Sequence, residues 1–394
     1  MRLGTTCYLG LLLMIGTLAF AQPRNLPPPN TTCDGTGTLA EWGSQFRFDH
    51  CHMGYNPYEV ILSSSTVGSL ALDWNYRTGG AIGLSSPAVA DGVIYVGSIY
   101  PDDSVYALNA ATGAKLWSYA TGDQVYSSPA VARGVVYVGS NDKNVYALNA
   151  ATGAKLWGYT TAAPVTSSPA VDKGVVYVGS WDGNIYALDA ATGAKLWSYY
   201  TSHNVESSPA VANGVVYFGC DNNSIYALNA ATGTVLWSYP TGNYVTSSPA
   251  VANGVVYVGS RDGYLYALDA ATGAHLWIYG IGSSVDSSPA VANGVVYVGS
   301  RGGIVYALNA ATGAELWSFT TGLYVYGSPT VANGVVYIGS GDRNIYALNA
   351  TTGATLWTYT TAYVVESSAA VVDGVLYVGS DDFNLYAFHL PGQR

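Results

Sequence analysis

Between Leu70 and His389 the apolar and polar positions follow one pattern that returns about every forty residues, and its cleanest copy runs from Pro249 to Ser288. That copy opens with Pro249-Ala250-Val251, turns at Asn253-Gly254, and continues as the β-branched and aromatic run Val255-Val256-Tyr257-Val258. A polar loop, Ser260-Arg261-Asp262-Gly263, leads into Tyr264-Leu265-Tyr266-Ala267-Leu268. Ala270-Ala271-Thr272-Gly273 then turns the chain into His275-Leu276-Trp277-Ile278-Tyr279. Each apolar run is too short for a helix and is bounded by turn residues, so the unit predicts four short strands. The opening proline fits the first strand position, where no ladder donor is needed.

The proline recurs at Pro87, Pro129, Pro169, Pro209, Pro249, Pro289 and Pro329, with Ala369 in the eighth place. Eight units of four strands predict an all-β chain folded as an eight-bladed β-propeller of four-stranded antiparallel blades. The outermost strand carries Trp117, Trp157, Trp197, Trp237, Trp277, Trp317 and Trp357, one fewer than the number of units, because the last unit stops after Tyr386-Ala387-Phe388-His389. The missing strand lies upstream, in Leu70-Ala71-Leu72-Asp73-Trp74-Asn75-Tyr76. An N-terminal strand around Trp74 is therefore expected to close the ring and remove the exposed edges of an open sheet.

The stretch Ala267-Leu268-Asp269-Ala270-Ala271-Thr272-Gly273-Ala274-His275-Leu276-Trp277 resembles the tryptophan-docking motif of the PQQ-like (pyrroloquinoline quinone repeat) β-propeller family. The resemblance covers roughly residues 40 to 390, and Asn109, Asn149 and Asn229 depart from it by replacing the motif's Asp, which keeps the turn chemistry. It implies that Trp74, Trp117, Trp157, Trp197, Trp237, Trp277, Trp317 and Trp357 pack between an alanine and the Thr-Gly peptide of neighbouring blades, a structural role. The family's catalytic branch, the PQQ-dependent quinoprotein dehydrogenases, uses bound PQQ with Ca²⁺, a catalytic Asp and a vicinal disulfide. No Cys-Cys pair and no haem-attachment Cys-x-x-Cys-His occur in this sequence. The resemblance therefore points to the non-catalytic branch, similar in architecture to the outer-membrane assembly propeller BamB, with no cofactor expected and PQQ with Ca²⁺ as the alternative.

Residues 1–21 read as a secretory signal, with Arg2 ahead of an apolar run and Ala19-Phe20-Ala21 at the cleavage point. No membrane span is expected, and export to a periplasmic or extracellular space is. Cys7 lies too early for a lipid anchor of the kind the assembly propellers carry. Residues 22–40 read as a flexible leader, 41–69 as a lead-in segment of the type that precedes the first blade in such proteins, and 70–390 as the propeller. A formal net charge of −10 disfavours nucleic acid and anionic lipid as partners. In an exported chain Cys33 and Cys51 are candidates for a disulfide, with connectivity not readable from sequence. His50-Cys51-His52 is read as a structural segment, and Cys220 as a buried free thiol.

Within the unit, the first-to-second and third-to-fourth turns are nearly constant, whereas the second-to-third loops and the blade-to-blade links vary. Any ligand face is expected on that variable side. The candidates there are Tyr100, Tyr126, Trp181, Glu206, Tyr244, Arg261, Tyr264, Asp286, Tyr324, Tyr326, Tyr363 and Glu366. Glu206 and Glu366 should face each other across the channel with Asp286 between them, three carboxylates able to hold a cation or a basic ligand. The expected function is a monomeric scaffold or binding module for protein or peptide partners, because exposed aromatics suit interfaces. A glycan-binding, lectin-like surface protein and a quinoprotein dehydrogenase are the alternatives.

Overall fold

The computed structural model describes residues 49–392. The expected signal and leader, Cys33, and residues 41–48 of the lead-in lie outside the described residues. The chain forms eight sheets, each built on one four-stranded antiparallel meander. In blade 5 the strands are Ala250–Ala252, Val255–Gly259, Tyr264–Asp269 and His275–Gly280, running from the channel to the rim. Asn253 and Gly254 both take left-handed backbone, with φ of 51° and 76°, which is the geometry of a tight hairpin turn. The remaining blades repeat this arrangement, and we number them 1 to 8 from the strand Ala88–Ala90 onward.

Blade 8 is completed by a strand from the other end of the repeat region. Strand β2 (Ala71–Arg77) pairs antiparallel with Asn384–His389, setting Trp74 opposite Ala387. Among the described residues no open blade is left, and the ring is closed as the tryptophan count requires.

The core lies between adjacent blades rather than within one. Ala88, Tyr95, Val105, Ala107 and Trp117 of blade 1 pack against Val131, Val136, Val138, Tyr146 and Leu148 of blade 2, and the same partnership recurs around the ring. Seven indoles donate to a carbonyl of the next blade, as Trp117 Nε1 does to Ala150 O at 2.8 Å. The same Ala150 carbonyl also accepts from Tyr95 Oη at 3.1 Å, so one oxygen receives two donors from the preceding blade. Trp74 and all of these indoles but Trp357 lie against the glycine of the neighbouring Thr-Gly turn: a Cβ built on Gly233 would stand 2.7 Å from the Trp197 ring. Gly233 also has φ of 71°, so a side chain there meets both a strained backbone and an occupied space.

Two further devices hold the inner rim. The second serine of each Ser-Ser pair donates its backbone N–H to the hydroxyl of its counterpart in the next blade, from Ser86 to Ser128 through Ser328 to Ser368, and Ser368 returns to Ser86. These eight bonds of 2.9–3.0 Å form a closed circle around the channel. Below the circle, the lead-in crosses the channel side of the inner strands. The carbonyls of His50, Cys51, Met53 and Gly54 accept from the backbone N–H of Val211, Val251, Val291 and Val331 at 2.6–2.9 Å, one blade after another. Strand β1 (Tyr55–Asn56) adds itself in parallel to the inner strand Thr330–Ala332, and Asn56 Nδ2 reaches Val371 O of blade 8 at 2.8 Å. This segment is therefore no mere approach to blade 1. It satisfies the inner strand edges of blades 4 to 7, touches blade 8, and floors the channel on the side of the constant turns.

The inner rim makes two outcomes checkable. Ser208→Ala removes the acceptor for the buried Ser168 N–H and should lower stability by about 1–3 kcal/mol, read as the chemical-denaturation midpoint at unchanged slope. Gly233→Ala should cost a similar ~1–3 kcal/mol through backbone strain and displacement of Trp197, whereas Gly254→Ala, with no neighbour near its added Cβ, should cost less. Equal losses at the two glycines would argue against indole docking as the reason for Gly233.

Candidate functional site

Because the lead-in floors the channel, the opening on the variable side is a funnel with a bottom. It encloses about 500 Å³, within the usual range for small-molecule sites of about 300–1,000 Å³. Two positions of the unit build its wall. One is the residue entering each inner strand, and the other is the residue opening each second-to-third loop, fifteen positions later. Leu84, Tyr126, Thr166, Glu206, Thr246, Asp286, Tyr326 and Glu366 fill the first ring, and Asn141, Trp181, Arg261 and Arg301 reach the funnel from the second. The serine circle lies beneath them.

Of the candidates read from sequence, Tyr126, Trp181, Glu206, Arg261, Asp286, Tyr326 and Glu366 line the funnel. Tyr324 stands against Tyr326, ring centroids 4.7 Å apart, and hydrogen-bonds to Glu366. Tyr100, Tyr244, Tyr264 and Tyr363 stay outside, as exposed aromatics of the rim.

The loops that carry these residues are stapled. Asp142 accepts from Tyr146 Oη at 2.6 Å and from Gly122 N of the preceding link at 2.7 Å, and Asp262 repeats both bonds with Tyr266 and Gly242. Asp182, Asp342 and Asp382 hold their tyrosines alike. These bonds draw the Asp142 and Asp182 carboxyls below their ordinary range despite burial. The second-to-third loops thus do not vary freely, as the sequence suggested: one column is structural, and the residues beside it are held in place by it.

The expectation of three comparable carboxylates is corrected by Asp286. Arg261 Nε donates to its Oδ1 at 2.7 Å, Thr246 Oγ1 to the same oxygen at 2.7 Å, and Arg301 Nε to its Oδ2. Both oxygens are committed, and the two guanidiniums and Thr246 hold the carboxyl below its ordinary range against the opposing effect of burial. Arg301 further lies over the Tyr326 ring at 5.0 Å. Glu206 behaves oppositely. Burial, and then repulsion from Asp221, push it to about 7 although Arg261 pulls the other way. In blade 8, burial and the neighbouring Glu366 and Asp382 lift Asp381 to about 7, and Glu366 is raised by burial while Tyr324 pulls it back.

Arg301, Asp221 and Asp381 are the residues sequence reading left out. Reading the strand-entry and loop-opening columns as one fifteen-residue pair would have found them, because Glu206/Asp221 and Glu366/Asp381 then appear as the same pair in blades 4 and 8. Among the described residues no three His, Cys, Asp or Glu side chains converge as metal ligands, His50 to His52 included. Cys51 is disulfide-bonded, and its candidate partner Cys33 lies outside the described residues. Cys220 is a buried free thiol that donates to Thr201 Oγ1 at 3.2 Å, and burial raises its pKa.

The sequence matches the family described as outer membrane protein assembly factor BamB over residues 64–203, 141–284 and 261–393. No curated protein matches it in sequence. Among solved structures it is similar to BamB from Moraxella catarrhalis, with a TM-score of 0.70 and 22% identity over 82% of this chain and 99% of that one. It is also similar to a europium-containing methanol dehydrogenase, TM-score 0.79 and 16% identity over 89% of this chain and 99% of that one. Quinohemoprotein alcohol dehydrogenase from Comamonas testosteroni gives 0.78 and 18% over 92% and 82%. At these identities the likeness is one of fold.

The raised carboxyls carry a sign. A group whose folded pKa exceeds its unfolded value favours the folded state below the unfolded pKa, and that contribution is lost as pH rises through the folded one. Glu206 and Asp381 should therefore make the wild type less thermally stable as pH rises from about 5 to about 8. In a Glu206→Gln/Asp381→Asn variant, followed by tryptophan fluorescence, this decline should flatten. Parallel profiles for the two proteins would show that these carboxyls are not the ones titrating.

Proposed function

Since the chain belongs to the family of the outer membrane protein assembly factor BamB, we propose that it is an exported, non-catalytic binding module that grips a protein partner with its variable loop face. The observation that carries this reading is the rim: Tyr100, Tyr244, Tyr264 and Tyr363 stand exposed on that face around a funnel whose loops are stapled by half-buried Asp–Tyr bonds. Rigid exposed aromatics lose little conformational entropy on binding and are the residue type that dominates protein interfaces. The secretory signal read at residues 1–21 supports export, and so does the Cys51 disulfide, a bond typical of oxidising compartments. The propeller acts as a monomer in this reading.

A second reading, a quinone-dependent dehydrogenase, has the likeness to methanol and quinohemoprotein alcohol dehydrogenases behind it. The funnel residues do not fit a calcium-and-quinone centre. Asp286 has both oxygens committed to arginines and a threonine, and the Arg261 guanidinium acts on both Glu206 and Asp221, where it would repel a divalent ion. No catalytic step is drawn through such a group.

The test is site-specific photo-crosslinking in the host envelope, with the probe at Tyr244 or Tyr264 on the rim and at the exposed Leu276 on the outer strand. One protein captured from both rim positions and absent from Leu276 is expected. Its binding to the purified chain should weaken about tenfold or more when Tyr244 and Tyr264 become Ser and should withstand soluble glycans. Displacement by glycans would favour a lectin, and substrate-dependent dye reduction with PQQ and Ca²⁺ would overturn the non-catalytic reading.

A further inference from the structure

Inside the rim, the funnel holds an imbalance of one sign. Along the loop-opening column, Asn141 Oδ1 in blade 2, Asp221 Oδ1 in blade 4 and Asp381 Oδ1 in blade 8 are buried acceptors that no group among the described residues donates to. The donor-bearing side chains of the same column are engaged, Trp181 Nε1 with Thr166 Oγ1 at 2.9 Å and both arginines with Asp286. Asp221 is only 9% exposed and, like Asp381, does not itself line the funnel; each stands beside a glutamate that does, Glu206 and Glu366. The negative charge of Asp221 is left without a donor to its Oδ1 and repels Glu206, an unfavourable contact that a cation at Glu206 would relieve.

The acids stand as two pairs, Glu206 with Asp221 in blade 4 and Glu366 with Asp381 in blade 8, half a turn apart in an eight-blade ring. The two arcs between them differ. Through blades 5 to 7 the wall carries the Arg261–Asp286–Arg301 cluster and Tyr326, a positively charged arc. Through blades 1 to 3 it presents Leu84, Tyr126 and Trp181, an apolar and aromatic arc without a charge.

We propose that the funnel binds a linear aliphatic diamine or polyamine, one ammonium at Glu206 with Asp221 beside it, the other at Glu366 with Asp381 beside it, and the methylene chain along Leu84, Tyr126 and Trp181. An ammonium at each glutamate offsets the negative charge that the glutamate shares with the neighbouring aspartate, and aromatic faces attract cations. A single divalent ion would not serve, because the two pairs stand on opposite walls and each brings only two carboxylates. The site lies within the funnel and stands apart from the reading of the rim, since it requires no protein partner.

Protonation follows from the same geometry. Glu206 is faced by Asp221, Arg261 and Asp286, and Asp221 by Arg261 and His203. Asp381 is faced by Glu366 and Asp382, Glu366 by Tyr324, and Tyr126 faces both Asp381 and Glu366. With Glu206 and Asp381 each near 7, an arriving ammonium favours their charged forms, so binding expels protons and weakens as pH falls below neutrality.

The experiment is calorimetric titration of the purified chain with linear diamines from propanediamine to decanediamine, with n-butylamine as the one-ended control. Expected are one diamine per chain, an optimum chain length, and affinity for the best diamine at least about tenfold above that for butylamine. The heat at mildly acidic pH should vary with the ionisation enthalpy of the buffer, reporting proton release. Glu206→Gln and Glu366→Gln, isosteric and checked to melt no lower than the wild type, should each reduce affinity about tenfold or more, while Asp123→Asn outside the funnel should not. Absence of binding at millimolar diamine, butylamine binding as tightly as every diamine, or indifference to both Gln substitutions would each overturn the proposal.

Discussion

The structure depends on the seam between one blade and the next. At six of the eight seams an indole lies on a glycine peptide that has no side chain to keep it away, and its N–H joins a tyrosine hydroxyl on one alanine carbonyl. This contact couples three properties of a repeat that would otherwise vary separately: the left-handed turn at glycine, the spacing of the sheets, and the burial of the tryptophan. A ring built from such seams has no end cap, so the last one must be made from the chain's two extremities. There the pattern bends: Trp357 donates to Leu70 O, in the segment leading into β2, because the final unit lacks its own Ala-Thr-Gly turn, and Trp74 Nε1 meets no acceptor among the described residues.

Closure sets what the centre can be. The eight serine bonds hold the inner strands at a fixed radius, wide enough for a cavity and too wide for the strand edges to satisfy one another. The lead-in takes up that deficit on one side only. The result is a channel with a polar floor and an open mouth, and the chemistry of the mouth is left to the two side-chain columns that the stapled loops display. Nearly identical blades thereby carry unlike groups at the funnel without disturbing the seams.

What was legible in the sequence follows this division. The tryptophan, proline and glycine columns could be read because they recur in register, and the shortage of one tryptophan was enough to require β2 in blade 8. The serine circle was not legible: within one unit Ser-Ser-Pro reads as a strand opening, and nothing local says that a backbone N–H will meet a hydroxyl forty residues on. The path of His50 to Asn56 was hidden for a different reason, since it occurs once and offers no second copy for comparison. The funnel lay between these cases. Glu206, Asp286 and Glu366 stood out as charges in an uncharged column, but the arginines that cancel Asp286 and the acids that reinforce the two glutamates sit in another column, related to the first only by the hairpin between them.

The lead-in's route also bears on when the molecule can become whole. Its carbonyls need inner strands from blades 4 to 7, Asn56 meets Val371, and β2 waits for Asn384–His389. The stretch that leaves the ribosome early thus meets its partners one after another, from Val211 in blade 4 to Asn384–His389 in blade 8. Only the pairing of β2 with Asn384–His389 has to wait for the end of the repeat region, and that pairing converts an open stack of blades into a closed ring. Closure of the ring is thereby tied to the completion of the chain.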